Sequence, residues 1–449
     1  MHFRTMVLFV VFALPVAAAA TPDPSPDSNA AVVLLRKPVS GDPASGCGLY
    51  DPSHTITTTD SNNDVVTVPD PIYPLKNCFE SMAALTATGT TGWIWTTRNP
   101  SASAPLLVDI GPGTFEPFFC DGTSGTGPSK GWVTLHGAGR ELSILKGGNN
   151  GAKITNCANL SFIDLGVQGN KNGVVWEGSQ GGSSSWSNVD LVGLGTVTGT
   201  SGWIDQNCAG QTVRSVHYFH GSRARALTGP TSNPILVSGF WTACAESWFF
   251  GGEISADISR STPGFNYVVA VNGGFLETFG TAIRGRVHGD VSTRELAGVA
   301  VYPGDTDTSL FTVAFHGHGG NIGLSTKDAS NQSIAVHGVQ AGGMVHVHAP
   351  GMAYFLTPGS TGMARRAIRI DADAHVEAPF QWSADTEPPF TSGSSSRFES
   401  KDGEDLFVET DCDNNGCSGT GNKPHLMIYS TACPTSNPWF DVALNACRL

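Results

Sequence analysis

The chain has 449 residues, of which 55 are glycine and 14% are charged, and its formal net charge is -13 at pH 7. Frequent glycine disfavours long helices, because each interior glycine costs about 1 kcal/mol relative to alanine. The apolar share of 40% suffices for an extended core and excludes a disordered chain. The acidic balance argues against a nucleic-acid partner, and mildly against an acidic polysaccharide unless a local basic patch or bridging Ca²⁺ offsets it.

Residues 1–20 have the pattern of a secretory signal peptide. Met1-His2-Phe3-Arg4 supplies the positive start, an apolar core follows over residues 6–16, and residues 17–20 offer an Ala-x-Ala cleavage site. The apolar run is too short to cross a bilayer and no later stretch is longer, so we expect no membrane span. The predicted location is therefore secreted, periplasmic or on the cell surface.

Ten cysteines follow this segment, an even number that favours disulfides in an exported chain. Their pairing cannot be read from the sequence. Four of them lie in residues 397–449, where we predict a small disulfide-rich C-terminal segment after a low-complexity linker at residues 379–396. Metal binding by these four cysteines is the less favoured alternative.

Residues 21–75 indicate a leader followed by ragged first strands. Residues 21–45 are rich in proline, aspartate and alanine. Two threonine- and valine-rich runs, Thr55–Thr59 and residues 65–68, then favour an edge hairpin or an irregular first coil.

Residues 77–85 are the early helix candidate. Phe79, Met82 and Ala83 fall at i, i+3 and i+4 and would give the helix one apolar face. A stack of coils ends in an open hydrophobic face, so we expect this N-terminal helix to cap it.

Short apolar runs closed by glycine turns dominate residues 76–378, a pattern typical of strands. The runs around Asp164 and Asp190 align at an offset of 26 residues, and a run around His217 follows at 27. Repeats of about 20–30 residues are typical of solenoids. We therefore predict a parallel β-helix; a β-sandwich or jelly roll is the alternative.

The opening of this region carries a family resemblance. After the helix candidate come Val108-Asp109-Ile110-Gly111-Pro112-Gly113-Thr114-Phe115-Glu116, Val133-Thr134-Leu135-His136-Gly137-Ala138-Gly139 and Ser143-Ile144-Leu145. These residues resemble the first coils of the pectin-lyase-like right-handed parallel β-helix superfamily, which includes pectinesterases. The resemblance covers about residues 77–169, and it implies an all-β, right-handed solenoid directed at carbohydrate.

The catalytic motifs of such enzymes are absent. The Gly-Tyr-Gln-Asp and Asp-Phe-Ile-Phe-Gly motifs of pectinesterases do not occur, nor do the Asn-Thr-Asp and Arg-Ile-Lys motifs of polygalacturonases. Trp248-Phe249-Phe250-Gly251-Gly252 is a faint echo of the second pectinesterase motif but lacks its aspartate. No catalytic residue is carried over from either family.

Strand alternation predicts an acid–base row on the outer face. If their apolar neighbours point inward, Asp164, Asp190 and His217 point outward on successive coils about 4.8 Å apart. Two carboxylates at that spacing raise one pKa and give an acid beside a base. We predict these three residues as catalytic in a polysaccharide lyase or glycoside hydrolase; a solvated strand face is the alternative.

Three arginines near His217 are predicted to bind the substrate. Arg214, Arg223 and Arg225 suit paired hydrogen bonds to a sugar carboxylate, although solvated loop charges are the simpler alternative. A second basic group lies at Arg284 and Arg286. Recurrent tryptophans would offer a sugar-stacking platform if exposed and would fill the core if buried: Trp176, Trp186, Trp203, Trp241 and Trp248.

Two His-x-His pairs, His316/His318 and His346/His348, each place both rings on one strand face. Two stacked pairs could chelate a divalent metal through their imidazole nitrogens. No carboxylate lies close to them in sequence, so exposed or stacked histidines are the favoured interpretation and no metal ligand is predicted. The cofactor is not determined by the sequence, and Ca²⁺ is possible if the reaction is a lyase. A polysaccharide is the expected partner. A non-catalytic carbohydrate-binding protein and a structural, oligomeric solenoid are the alternatives to an enzyme.

Overall fold

A computed structural model describes residues 27–37, 47–49, 55–59, 65–69, 73–74, 77–122, 129–178, 181–195, 199–206, 213–228, 236–243, 245–258, 265–287, 295–302 and 313–326, and the strands beyond residue 326. The predicted signal peptide lies outside these residues. No helix within them is long and apolar enough to span a membrane.

Three sheets carry the fold. Sheet 1 contains, in stacking order, Cys78–Phe79, Val32–Leu35, Leu106–Ile110, Lys130–Gly137, Cys157–Ile163, Ser183–Ser187, Ser215–His220, Ala245–Phe250, Phe275–Phe279, Val313–His318, Val345–His348, Ala374–Glu377 and Arg397–Glu399. Sheet 2 contains Gly113–Phe115, Ser143–Gly147, Gly166–Gly169, Asp190–Gly193, Arg223–Thr228, Glu253–Ile258, Ala282–Val287, Asn321–Thr326 and Ala353–Thr357. Sheet 3 contains Phe118–Asp121, Asn150–Thr155, Asn172–Glu177, Thr200–Gln206, Leu236–Thr242, Phe265–Asn272, Glu295–Tyr302, Gln332–Val339, Arg365–Asp371 and Phe390–Thr391.

Successive coils contribute one strand to each sheet in turn, and neighbouring coils pair in parallel in all three sheets. This arrangement confirms the predicted parallel β-helix and excludes the β-sandwich, whose sheets are antiparallel. Its right-handed sense stays a prediction.

The C-terminal strands depart from the parallel pattern. Arg397–Glu399, Asp405–Glu409, His425–Tyr429, Trp439–Asp441 and Ala446–Arg448 pair in antiparallel order at the end of sheet 1. The predicted disulfides of this segment lie outside the described residues.

The N-terminal region confirms one expectation and corrects another. Thr55–Thr59 and Val65–Pro69 form an antiparallel hairpin, the first of the two predicted alternatives, as a separate two-stranded sheet. Gly48–Leu49 pairs with Tyr73–Pro74. Val32–Leu35 falls in the predicted leader, yet it pairs in parallel with Leu106–Ile110. This apolar run is part of the β-helix rather than of a leader, because Val33 and Leu35 are fully buried in its core.

The early helix is shorter than predicted. Helix α1 spans Met82–Thr86, and the Ser81 hydroxyl accepts the hydrogen bond that begins it. Cys78–Phe79 is a strand instead, so the buried face consists of Met82, Leu85 and Thr86, and Ala83 is exposed. A π-helix follows at Ile94–Arg98. The capping role of α1 stays a prediction.

Aromatic rings fill the interior of the helix. Phe162 and Trp186, in adjacent coils, stack with 3.8 Å between ring centroids, and Phe219 and Phe249 continue the row. Trp176, Trp186 and Trp203 are fully buried, so they form core rather than a sugar platform. From Phe162 to Phe249 these stacked rings bury a large apolar area between neighbouring coils.

A left-handed residue makes the corner after the sheet 1 strand in successive coils. The residues at this corner are Asp164, Asn188, Gly221, Gly251, Gly280 and Gly319, with φ from 52° to 68°. Asp, Asn and Gly tolerate that backbone region best. The left-handed backbone at this corner is therefore sufficient to explain the aspartate at position 164.

Two disulfides lie among the described residues. One joins Cys47 to Cys78, and the other joins Cys120 of sheet 3 to Cys157 of sheet 1. Such bonds are typical of oxidising compartments, in agreement with the predicted extracytoplasmic location. Six further cysteines, from Cys208 to Cys447, have no described side chain.

Candidate functional site

The predicted row of Asp164, Asp190 and His217 is wrong. The coils that contain Asp164 and Asp190 pair at an offset of 24 residues, whereas the predicted row requires 26. Ile163 pairs with Ser187, and Gly166 pairs with Asp190. Asp164 therefore sits at the corner before sheet 2, and Asp190 begins a strand of sheet 2. His217 lies in the middle of sheet 1, in register with Ser184.

His217 points into the core, contrary to the prediction that Val216 is inside and His217 outside. Its ring lies 4.4 Å from the Trp176 ring and 4.9 Å from the Trp203 ring, between centroids. Its Nδ1 is 2.8 Å from the Ser184 hydroxyl. Complete burial lowers the pKa of His217 to about 3. A neutral buried ring with no access to solvent is not placed to exchange protons with a polysaccharide.

Asp164 does join an outer acid–histidine ladder, but with other partners. His136 lies between Asp109 and Asp164, with Nδ1 3.4 Å from the Asp109 carboxylate and Nε2 3.8 Å from the Asp164 carboxylate. Arg36 and Asn188 complete the ladder at its two ends, bound to Asp109 and Asp164 respectively. Each of the two carboxylates already has a partner, Arg36 for Asp109 and Asn188 for Asp164. We therefore interpret the ladder as a set of contacts that stabilises neighbouring coils.

Asp190 is nearly buried and holds Arg225. The Arg225 Nε donates to Asp190 Oδ1 over 2.8 Å, and an Arg225 Nη2 hydrogen bond to Oδ2 makes the contact bidentate. Such a fork fixes the guanidinium plane and leaves its other N–H groups for a ligand. Asp190 is therefore a positioning residue for Arg225.

The three arginines predicted to bind substrate lie in different environments. Arg214 is buried, with Nη1 3.7 Å from Glu246, and burial lowers the pKa of Arg214 while Glu246 and Asp205 act in the opposite direction. Arg223 pairs in register with Asp190 and Glu253. Of the three, Arg225 lines the groove on the outer face of sheet 2.

This groove, which we call the sheet 2 groove, has a volume of about 610 Å³ and crosses four consecutive strands. One row in it reads Arg225, Ser255, Arg284 and Gly323 in register. The neighbouring row places Leu227, Asp257 and Arg286 side by side. Small residues between the arginines form the floor, and nothing lies within 4 Å of where a side chain on Gly323 would begin.

Charges of both signs line the sheet 2 groove. Arg284 Nη1 lies 3.7 Å from the Glu253 carboxylate, and 61% of the Arg284 side chain is exposed. An ion pair this exposed is worth about 0–1 kcal/mol, so both groups are available to a ligand at little cost. The groove therefore offers guanidinium donors and carboxylate acceptors on one open surface.

The outer face of sheet 1 carries an aromatic stack. His220, Phe250, Phe279 and His318 follow one another with 4.8 to 5.0 Å between ring centroids. Tyr218 stacks on Trp248 in the adjacent row. Of the predicted platform tryptophans, Trp248 is the half-buried one here, and Trp241 packs on a small cluster outside sheet 3. At the end of the stack, Glu277, His316 and His318 form a group able to hold a metal ion.

Comparison with known proteins adds a distant likeness of fold. A solved pectin methylesterase from carrot matches 70% of this chain and 85% of its own, with a TM-score of 0.35 and 10% sequence identity. No family model and no curated protein matches. The β-helix predicted from residues 77–169 is supported by the parallel pairing of neighbouring coils. The likeness is too remote to transfer a residue role.

The sequence shows one basic group at Arg223 and Arg225 and a second at Arg284 and Arg286, but it does not indicate that the two lie on one surface. Arg225 and Arg284 are 59 positions apart in the chain, and the intervening loops vary in length, so only the strand register brings them together. The alternation Arg-Ala-Arg at 223–225 and Arg-Gly-Arg at 284–286 was the available signal, since it places both arginines of each run on one strand face.

Proposed function

We propose that the protein binds an extended polysaccharide bearing carboxylate groups along the sheet 2 groove. The observation that supports this is the row of Arg225, Ser255 and Arg284, flanked by Arg286 and Asp257, on an open face of the β-helix. Arg225 and Arg284 are two strand spacings apart, about 9.6 Å, so a chain laid along the stack meets both.

The chemistry of the groove fits sugar acids. A guanidinium binds a carboxylate through two parallel hydrogen bonds, and its charge strengthens both. The Glu253 and Asp257 carboxylates accept hydrogen bonds from sugar hydroxyls. The net charge of -13 opposes a polyanion at long range. On this face, however, guanidinium groups outnumber carboxylates: Arg223, Arg225, Arg284 and Arg286 against Asp190, Glu253 and Asp257.

Binding is proposed without a catalytic assignment. His217 is buried, Asp190 is bound to Arg225, and Asp164 holds a corner, so none of the three is proposed as a catalytic residue. The structural solenoid is the competing function, and it differs in requiring no ligand on this face.

The test is the double variant Arg284→Ala/Arg286→Ala, titrated with polygalacturonate and with a neutral glucan. Hydrogen bonds to charged groups contribute about 1.5–3 kcal/mol each, so we expect at least a tenfold loss of affinity for polygalacturonate. Isothermal titration calorimetry measures the affinity, and assays of reducing ends and unsaturated products in the same samples detect cleavage.

Lys153→Ala is the matched control. Lys153 also pairs with a carboxylate of the next coil, Glu177, at 3.0 Å, but on sheet 3. Its loss removes one positive charge away from the groove, so the affinity should stay within about twofold of wild type, because exposed distant charges are screened. No binding by the wild type, or equal binding by the double variant, would overturn the proposal and favour the structural solenoid.

A further inference from the structure

The outer face of sheet 1 brings a carboxylate to one of the two His-x-His pairs. His316 and His318 alternate on the strand Val313–His318, and Glu277 of the preceding coil is in register with His316. Glu277 precedes His316 by 39 positions, which is why no carboxylate was expected near the pair. The strand register therefore places a carboxylate, Glu277, beside the His316/His318 pair.

The donor atoms of these three residues already converge. Each offers one ligand atom, and these atoms all lie within 4.8 Å of one another. Glu277 Oε1 is 2.8 Å from His318 Nε2. An ion held at about 2.0–2.1 Å from each donor needs donor separations of about 3.4 Å. Small side-chain rotations are enough to bring the three donor atoms to that separation.

Surrounding contacts hold the ligands in place. The second oxygen of Glu277 accepts a hydrogen bond from Trp248 Nε1 over 3.0 Å. The His318 ring stacks on Phe279 at 4.8 Å, and the His316 ring meets the edge of Phe275 at 5.0 Å. Partners that orient ligands in this way are characteristic of metal sites in proteins.

The row of ligand-type residues continues in the next coils. By strand register, His316 is followed by His348 and then by Glu377. Of the second His-x-His pair, His348 is therefore in register with His316, whereas His346 is in register with Ala314.

We propose that Glu277, His316 and His318 bind one divalent ion of the zinc, nickel or copper class. Two imidazoles and one carboxylate are the ligands such ions prefer, whereas Ca²⁺ and Mg²⁺ require mainly oxygen. Three protein ligands leave a coordination position for water or an external anion, as in open zinc sites. The site lies on a different sheet from the proposed polysaccharide groove and does not depend on it.

The test is Zn²⁺ titration of the full chain after treatment with a chelator, with metal content measured on the same samples. We expect one ion per chain in the wild type. Loss of a residue that only supports a ligand costs about 10–100-fold in metal affinity. Glu277→Gln, His316→Gln and His318→Gln should therefore each weaken binding at least about 100-fold.

His220→Gln is the matched control, because His220 stands at the opposite end of the same stack of rings, against Phe250. That variant should bind Zn²⁺ as the wild type does, and far-ultraviolet circular dichroism checks that all variants fold. Absence of a bound ion in the wild type, or unchanged affinity in the three ligand variants, would refute the site.

Discussion

At the scale of single residues, His217 shows how a polar side chain takes a place in the core. Its Nδ1 meets the Ser184 hydroxyl, which also accepts a hydrogen bond from Trp186 Nε1 over 2.7 Å. Its Nε2 is buried without a hydrogen-bond partner among the described residues. A second proton on this ring would be a buried, unpaired charge, which explains why the pKa falls so far.

This burial predicts acid sensitivity. The unfolded chain protonates His217 near the ordinary pKa of 6.5, whereas the folded chain resists protonation down to about 3. Within that window the unfolded state binds more protons, so stability falls as the pH falls, by about 1.4 kcal/mol per pH unit. From pH 6.5 to about 5, His217 should cost the wild type about 2 kcal/mol of unfolding free energy.

Urea unfolding near pH 7 and near pH 5 measures this effect. His217→Gln should be less stable at neutral pH but should lose about 2 kcal/mol less on acidification, since it has no titrating ring. His220→Gln removes an exposed histidine of the same strand and is the matched control for the loss of a ring. Equal pH dependence in His217→Gln and wild type would show that this histidine is not buried.

At the scale of elements, the corner after sheet 1 governs where each coil turns. Gly251 has φ of 66°, and a side chain there would find nothing within 4 Å. Substitution therefore tests backbone conformation alone. We expect Gly251→Ala to cost about 1–2 kcal/mol and Gly251→Asn to cost less, because asparagine tolerates the left-handed region.

Gly148→Ala is the control for this series. Gly148 is equally open, with nothing within 4 Å, but it is not in the left-handed region. Thermal unfolding should leave this variant within about 0.5 kcal/mol of wild type. If Gly251→Ala were as harmless as the control, the corner would not be conformationally demanding.

At the scale of the whole molecule, the disulfide between Cys120 and Cys157 ties two sheets together near the start of the stack. The bond closes a segment with a sequence separation of 37 residues, and both cysteines are buried. Cross-links of this kind stabilise by about 2–4 kcal/mol, chiefly by restricting the unfolded chain. We expect Cys120→Ala/Cys157→Ala to lose that amount in denaturant unfolding. Under reducing conditions the wild type should approach the variant, and a persistent difference would point to packing instead.

The fold was largely predictable, and the candidate sites were predictable only in part. Leu106–Ile110 was read correctly because its Leu-Leu-Val-Asp-Ile pattern and the glycine after it are local signals. The alignment of Asp164 with Asp190 failed by two residues, since the loops between strands differ in length. In a sheet a wrong register changes the neighbours of every residue, and a shift by one also changes its face.

The sequence by itself determined a β-rich, disulfide-bearing solenoid, because glycine turns, apolar alternation and repeat length all act within about one coil. Only the tertiary structure decided which side chains meet. The sheet 2 groove joins Arg225 to Arg284, and the group on sheet 1 joins Glu277 to His316. Both contacts run between coils, where the pairing of parallel strands, and not the distance along the chain, sets the neighbours.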